Sequence, residues 1–180
     1  MSAPHNKQRY GETWDQQHIN LCRGILEAIR TQVVLSGGWA WHFMSPKGHV
    51  ELKHAHDHKD IDLFVPPQEV PEVVAFLKRA GFERTWTKYD RLESKEDFRR
   101  YEKTSQLPGL KTRRVTIDFF VRAVPERLVQ GFRVVEPATL LTFYSNIHTS
   151  DKCFAVKAAS RLLAQGIDPE GHPDLVAIPA

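Results

Sequence analysis

Between Trp14 and Arg30 the apolar positions Ile19, Leu21, Cys22, Ile25, Leu26, Ala28 and Ile29 recur every three or four residues. That spacing predicts an amphipathic helix, with Thr13 and Gln16 placed for a capping box. Val33-Val34-Leu35-Ser36 is a β-branched run too brief for a helix and reads as a strand. Gly37-Gly38 turns the chain, and the apolar pattern from Trp39 to Met44, stopped by Ser45-Pro46, predicts a second helix. A polar loop, 45–58, leads into a strand, Asp60-Ile61-Asp62-Leu63-Phe64-Val65, which Pro66-Pro67 ends. Glu69 to Ala80 has helical periodicity closed by Gly81, and Phe82 to Lys88 alternates as a strand does. The charge-rich stretch that follows suits two strands, Arg91–Ser94 and Phe98–Lys103, before the turn Gln106-Leu107-Pro108-Gly109. Arg113 to Val121 is a firm strand. Its alternation puts Val115, Ile117, Phe119 and Val121 on one face and Thr116, Asp118 and Phe120 on the other. Phe132–Val135 is a further strand. Helices are expected from Pro137 to Ile147 and from Asp151 to Gln165, the second closed by Gly166.

The 180 residues suit one domain, 13–166, with a loosely attached N-terminus, 1–12, and a surface tail, 167–180. Hydrophobic residues at 41% and charged residues at 26% are ordinary for a globular chain. The net charge of +3 is compatible with an anionic substrate without requiring nucleic acid. Two cysteines, Cys22 and Cys153, far apart and outside any C-x-x-C spacing, give no support for a thiolate zinc site. The polar N-terminus has no signal-peptide core, and no apolar run approaches the ~20 residues that span a bilayer. The expectation is a cytoplasmic protein with no membrane association.

The acids carry the chemistry. Asp60 and Asp62, two apart on a strand, point to the same face, so their charges repel unless a cation lies between them. Mg²⁺ is usually held by one or two carboxylates together with substrate phosphates, and so answers that need. Asp118, set among β-branched and aromatic residues, is costly to bury unless paired or metal-bound. The strand–Gly-Gly–helix order at 33–44 allows close approach of an anion to the amides of a helix start. The 45–58 loop, with Lys47, Lys53, His49, His54, His56 and His58, reads as a basic lid over an anion or as an uncommitted surface loop. His54, His56, Asp57 and His58 also suggest zinc, but His58 stands where the dinuclear H-x-H-x-D-H pattern needs its Asp. Arg99, Arg100, Lys103, Lys111, Arg113 and Arg114 form either a phosphate-following cluster or a solvated basic face.

Ser36-Gly37-Gly38-Trp39-Ala40, His58-Lys59-Asp60-Ile61-Asp62 and Ile117-Asp118-Phe119, taken in that order, resemble the DNA polymerase β-like nucleotidyltransferases. The resemblance is closest to the small lincosamide and aminoglycoside 2″-nucleotidyltransferase branch and covers about residues 30–160. It implies an α+β (α/β) nucleotidyltransferase fold, a mixed β-sheet flanked by helices with further helices at the C-terminus. It implies Asp60, Asp62 and Asp118 as catalytic acids and ligands of two Mg²⁺ ions, with Ser36, Gly37, Gly38, His58 and, more loosely, Lys152 beside the nucleotide. The branch usually has Arg where this chain has His56. The activity implied is transfer of an NMP from an NTP, ATP being the expected donor, to a hydroxyl acceptor with release of pyrophosphate. The acceptor is open between a small molecule and a macromolecule such as tRNA or protein, and the chain between monomer and homodimer. A regulatory nucleotide-binding protein of the same fold without activity is the alternative.

Overall fold

The computed structural model describes residues 16–44, 60–87, 90, 97–105, 113–145 and 154–167. Helix α1 (Gln16–Ile29) forms on the expected stripe. Ile19, Cys22, Leu26 and Ile29 recur at intervals of three and four and are all buried, Leu21 and Ile25 pack half-buried at the edge of that stripe, and Asn20, Arg23, Gly24, Glu27 and Ala28 are exposed. The chain then enters β1 (Val34–Leu35) and turns directly into α2 (Gly37–Met44), so the second helix starts two residues earlier than the apolar pattern suggests. β2 (Asp60–Val65) follows, then a 3₁₀ turn, Pro67–Glu69, and α3 (Val70–Arg79) with Pro71 in its first turn, where a missing N–H costs nothing. α3 buries Val73 and Leu77 and ends as expected at Gly81, whose φ of 86° lets the Phe82 amide donate back to the Leu77 carbonyl at 2.9 Å.

β3 (Glu83–Thr85), β4 (Phe98–Ser105) and β5 (Arg113–Val121) come next, then β6 (Glu126–Val129), β7 (Phe132–Val135), α4 (Pro137–Ser145) and α5 (Phe154–Ala164). The sheet has seven strands in the order β3-β4-β5-β2-β1-β7-β6. β2 runs parallel to β5 and β1 runs parallel to β7; the other neighbours are antiparallel. The architecture is thus α+β, a mixed sheet flanked by helices, as expected. One face of β5 carries the core: Val115, Ile117 and Phe119 are fully buried, and the Phe119 ring stacks on Tyr101 of β4 at 5.9 Å. On the other face Thr116 is buried, and Asp118 and Phe120 are half-buried.

β6 is absent from the sequence expectations. Gln130 and Gly131, with φ of 52° and 83°, make the tight two-residue turn that joins it to β7. Glu126, Arg127 and Leu128 are exposed at the sheet edge, so no apolar alternation marks the strand. The Thr13–Gln16 cap, the 45–58 loop, the Arg91–Ser94 strand, the 106–109 turn and the 168–180 tail lie outside the described residues, as do the chain before 16 and Cys153. No helix among the described residues is long and apolar enough to cross a membrane.

Candidate functional site

Strand register gathers the polar residues into rows. Leu35 faces Leu63 across β1 and β2, and the next step of that ladder is the Ser36 amide donating to the Asp62 carbonyl at 2.9 Å. Asp62 is the register partner of Asp118, Asp118 of Arg100, and Arg100 of Thr85. Paired residues on neighbouring strands project to the same side of a sheet, so Asp62, Asp118, Arg100 and Thr85 form one row across four strands, with Ser36 bonded to Asp62 just past the end of β1. A second row lies two residues away along each strand: Asp60 opposite Thr116, Thr116 opposite Glu102, Glu102 opposite Glu83. Asp60, Asp62 and Asp118 therefore share a face.

The far side of this patch is aromatic. Phe64, Phe120 and Phe98 form the next row, with ring centroids 6.2 Å apart for the first pair and 5.2 Å for the second. Phe143 of α4 closes on Phe64 and Phe120 edge-on, at 5.8 and 5.4 Å. The acids are thus bordered by an apolar wall on the side toward which β2 and β5 run.

Gly37 is in contact with the acid row. Its φ is 58°, and a Cβ built on it would stand 2.5 Å from Asp62 Oδ2. The Ser36 carbonyl accepts the first helical bond of α2 from the Ala40 amide at 3.1 Å, so the positive end of that helix begins beside the Asp62 carboxylate. Ser36, Gly37 and Gly38, expected beside nucleotide phosphates, stand at the start of α2, with the Asp62 carboxylate against Gly37. His58 and Lys152 lie outside the described residues.

Asp118 is engaged. Arg100 Nε donates to Oδ1 and Nη2 to Oδ2, both at 2.7 Å, a bidentate fork that engages both carboxylate oxygens. This hydrogen bonding, followed by the charges of Asp118, Asp60 and Glu102, raises the Arg100 pKa above its ordinary value in spite of partial burial. Glu102 accepts hydrogen bonds from the Thr85 and Thr116 hydroxyls at 2.9 and 3.2 Å. Behind the row, Cys22 of α1 is fully buried, and burial first, then the Asp60 charge, pushes its thiol up to about 12.

An all-oxygen set of two carboxylates facing a third across a strand pair suits a hard cation such as Mg²⁺, which rarely takes an all-protein cage. Among the described residues, no group of three or more His, Cys, Asp or Glu is placed to hold a metal ion. The donor chemistry of Asp60 and Asp62 suits such an ion, while Asp118 is shared with Arg100.

Arg100 and Glu102 were not read as part of the site. Sequence reading grouped Arg100 with Arg99 and Lys103 in one basic cluster, and the structure breaks that cluster up. Strand alternation turns Arg99 and Lys103 to the opposite side of β4 from Arg100. Arg99 is paired with Asp97 at 3.0 and 2.9 Å, and Lys103 Nζ donates to the Ala80 carbonyl at 2.7 Å. The available signal was the period of two through Phe98, Arg100 and Glu102, which needs the β4–β5 register to become informative.

No protein-family profile and no curated protein sequence matches the chain. Among solved structures it is similar to JHP933 from Helicobacter pylori, with 15% identity and a TM-score of 0.47 over 72% of this chain and 55% of that one. The chain therefore spans little more than half of that protein. It is similar at 14% identity and a TM-score of 0.47 to the lincosamide antibiotic adenylyltransferase LnuA in its lincomycin-bound form, over 82% of this chain and 96% of that one. The antibiotic-resistance factor ANT(2″)-Ia overlaps at 14% identity and a TM-score of 0.47, over 84% and 85% of the respective chains. Overlaps of this depth carry no argument about activity.

Proposed function

We propose that the chain is a Mg²⁺-dependent nucleotidyltransferase that moves an NMP from an NTP, ATP first among the donors, to a hydroxyl acceptor in the cytoplasm. The observation that carries this reading is the register of Asp62 with Asp118 on adjacent parallel strands, with Gly37 packed on the Asp62 carboxylate. Asp60, Asp62 and Asp118 would hold two Mg²⁺ ions, which when bound supply charge compensation to the phosphates.

The chain's own groups do the rest. Asp118, aimed by Arg100, accepts the proton of the acceptor hydroxyl. The new bond forms between that oxygen and the α-phosphorus. The bond from the α-phosphorus to the bridging oxygen breaks, and pyrophosphate leaves with the electron pair. Ser36, Gly37 and Gly38, at the start of α2, would lie beside the phosphates. The wall of Phe64, Phe98, Phe120 and Phe143 excludes water from one side of the acids. The acceptor is a small molecule of the antibiotic kind or a macromolecule such as tRNA.

Radiolabelled NTPs offered with Mg²⁺ to antibiotic and tRNA pools test the proposal. Labelled acceptor and released pyrophosphate are expected, and both should vanish in folded Asp62→Asn. Undiminished turnover in that variant would overturn the assignment. The engagement of Asp118 by Arg100 favours a second reading, a nucleotide binder without activity, which would retain NTP and release no pyrophosphate.

A further inference from the structure

We infer that the Arg100 guanidinium is a built-in stand-in for a divalent cation, occupying Asp118 until an ion displaces it from at least one carboxylate oxygen. The inference rests on the nucleotidyltransferase reading of the acid face and adds to it a residue that governs when the third acid is available.

Three observations combine. Asp62 and Asp118 are register partners on neighbouring strands, close enough for two carboxylates to repel each other unless positive charge offsets them. Arg100, the register partner of Asp118 on its other side, supplies that charge. Both of its hydrogen bonds are 2.7 Å long and hold a full positive charge against both Asp118 oxygens, so an ion joining those oxygens meets that charge at close range. The third observation concerns which partner can move. The Asp118 side chain is 14% exposed on a strand paired along both edges, whereas the longer Arg100 side chain is 31% exposed. The arginine is the more exposed member, on a longer side chain with more rotatable bonds.

Arginine and ion then compete for one carboxylate, and whatever stabilises the ion pair weakens ion binding by the same factor. Arg100 is a positioning residue in this scheme. It keeps Asp118 aligned beside Asp62 in the empty site and sets a threshold concentration of cation for opening it. A planar fork matches both oxygens of a carboxylate, which a lysine ammonium cannot do, so the lysine variant should compete less well.

Titration calorimetry with Mn²⁺, without nucleotide, tests this on the full chain. Relative to wild type, Arg100→Met is expected to bind Mn²⁺ about tenfold more tightly and Arg100→Lys by an intermediate factor. The double variant Arg100→Met/Asp118→Asn should lose the gain. Mn²⁺ should also raise the Tm of Arg100→Met by more than that of wild type. Where Arg100→Met does not fold without metal, Arg100→Lys carries the comparison. A merely structural arginine would leave Mn²⁺ affinity unchanged or lower it, and either result in a folded variant overturns the inference. If wild type transfers NMP yet the variants bind Mn²⁺ no more tightly, only the stand-in falls. If neither wild type nor any variant binds Mn²⁺, the metal reading of the acid face falls, and the stand-in with it.

Discussion

Gly37 and Asp62 are built against each other. The Gly37 backbone is left-handed at φ 58°, and the space a β-carbon would fill is taken by Asp62 Oδ2, 2.5 Å from that position. The glycine is thus demanded twice, once by conformation and once by the carboxylate. Gly37→Ala should destabilise the fold by about 1–2 kcal/mol from backbone strain alone, and by more as Asp62 is pushed aside. Urea unfolding reads the first effect. A pyrophosphate-release assay reads the second, in which the variant should be nearly inactive even where it remains folded.

The acids separate by their neighbours. Asp118→Asn removes the charged half of the Arg100 fork and leaves a partly buried guanidinium less well compensated, so a stability loss of about 1–3 kcal/mol is expected. Transfer should fall by about 100-fold or more if Asp118 also takes the acceptor proton. Wild-type Tm together with wild-type rate would contradict both roles.

Cys22 should be chemically silent. Its thiol is pushed up to about 12 by burial and by the Asp60 charge, so it stays protonated well above neutral pH. Alkylation by iodoacetamide at pH 8, followed peptide by peptide in a mass spectrometer, should leave Cys22 unmodified in the native protein and label it after denaturation. Rapid native labelling would show that α1 does not seal that part of the core.

Asp90 predicts an acid limb of stability. Burial alone would raise its pKa. The Thr87 amide at 2.6 Å, Arg84 at 3.0 Å and the Thr87 hydroxyl at 3.0 Å outweigh that and hold it below the ordinary carboxylate value. A group with a depressed folded pKa stabilises above its unfolded value of about 4 and loses that contribution as pH falls through the folded one. Asp90→Asn should therefore cost about 1 kcal/mol at pH 7, with the gap to wild type closing below about pH 4. A gap that does not narrow at all as the pH falls below the ordinary carboxylate range would place the effect elsewhere.

Sequence and structure agree where burial is one-sided and periodic. β5 was readable end to end because Val115, Ile117 and Phe119 alternate with residues of a different kind, and α1 because Ile19, Cys22, Leu26 and Ile29 repeat at helical spacing. The shared face of Asp60 and Asp62 followed from strand geometry alone. That Asp118 sits directly across from Asp62 did not, because register between strands distant in sequence depends on the whole sheet. Arg100 was misgrouped for the same reason: a run of basic residues looks like one surface until alternation divides it and a partner strand claims one member. β6 escaped because an edge strand with Glu126, Arg127 and Leu128 in solvent has no burial pattern to show.

The parallel pairing of β2 with β5 has a temporal consequence. Strands that run side by side in the same direction need a crossover, and here the chain passes through α3, β3 and β4 before residue 118 reaches its place. On the ribosome, the first two acids emerge long before the third exists, and nothing local can hurry their meeting. Asp62 and Asp118 therefore come face to face only when the sheet's long-range topology has closed.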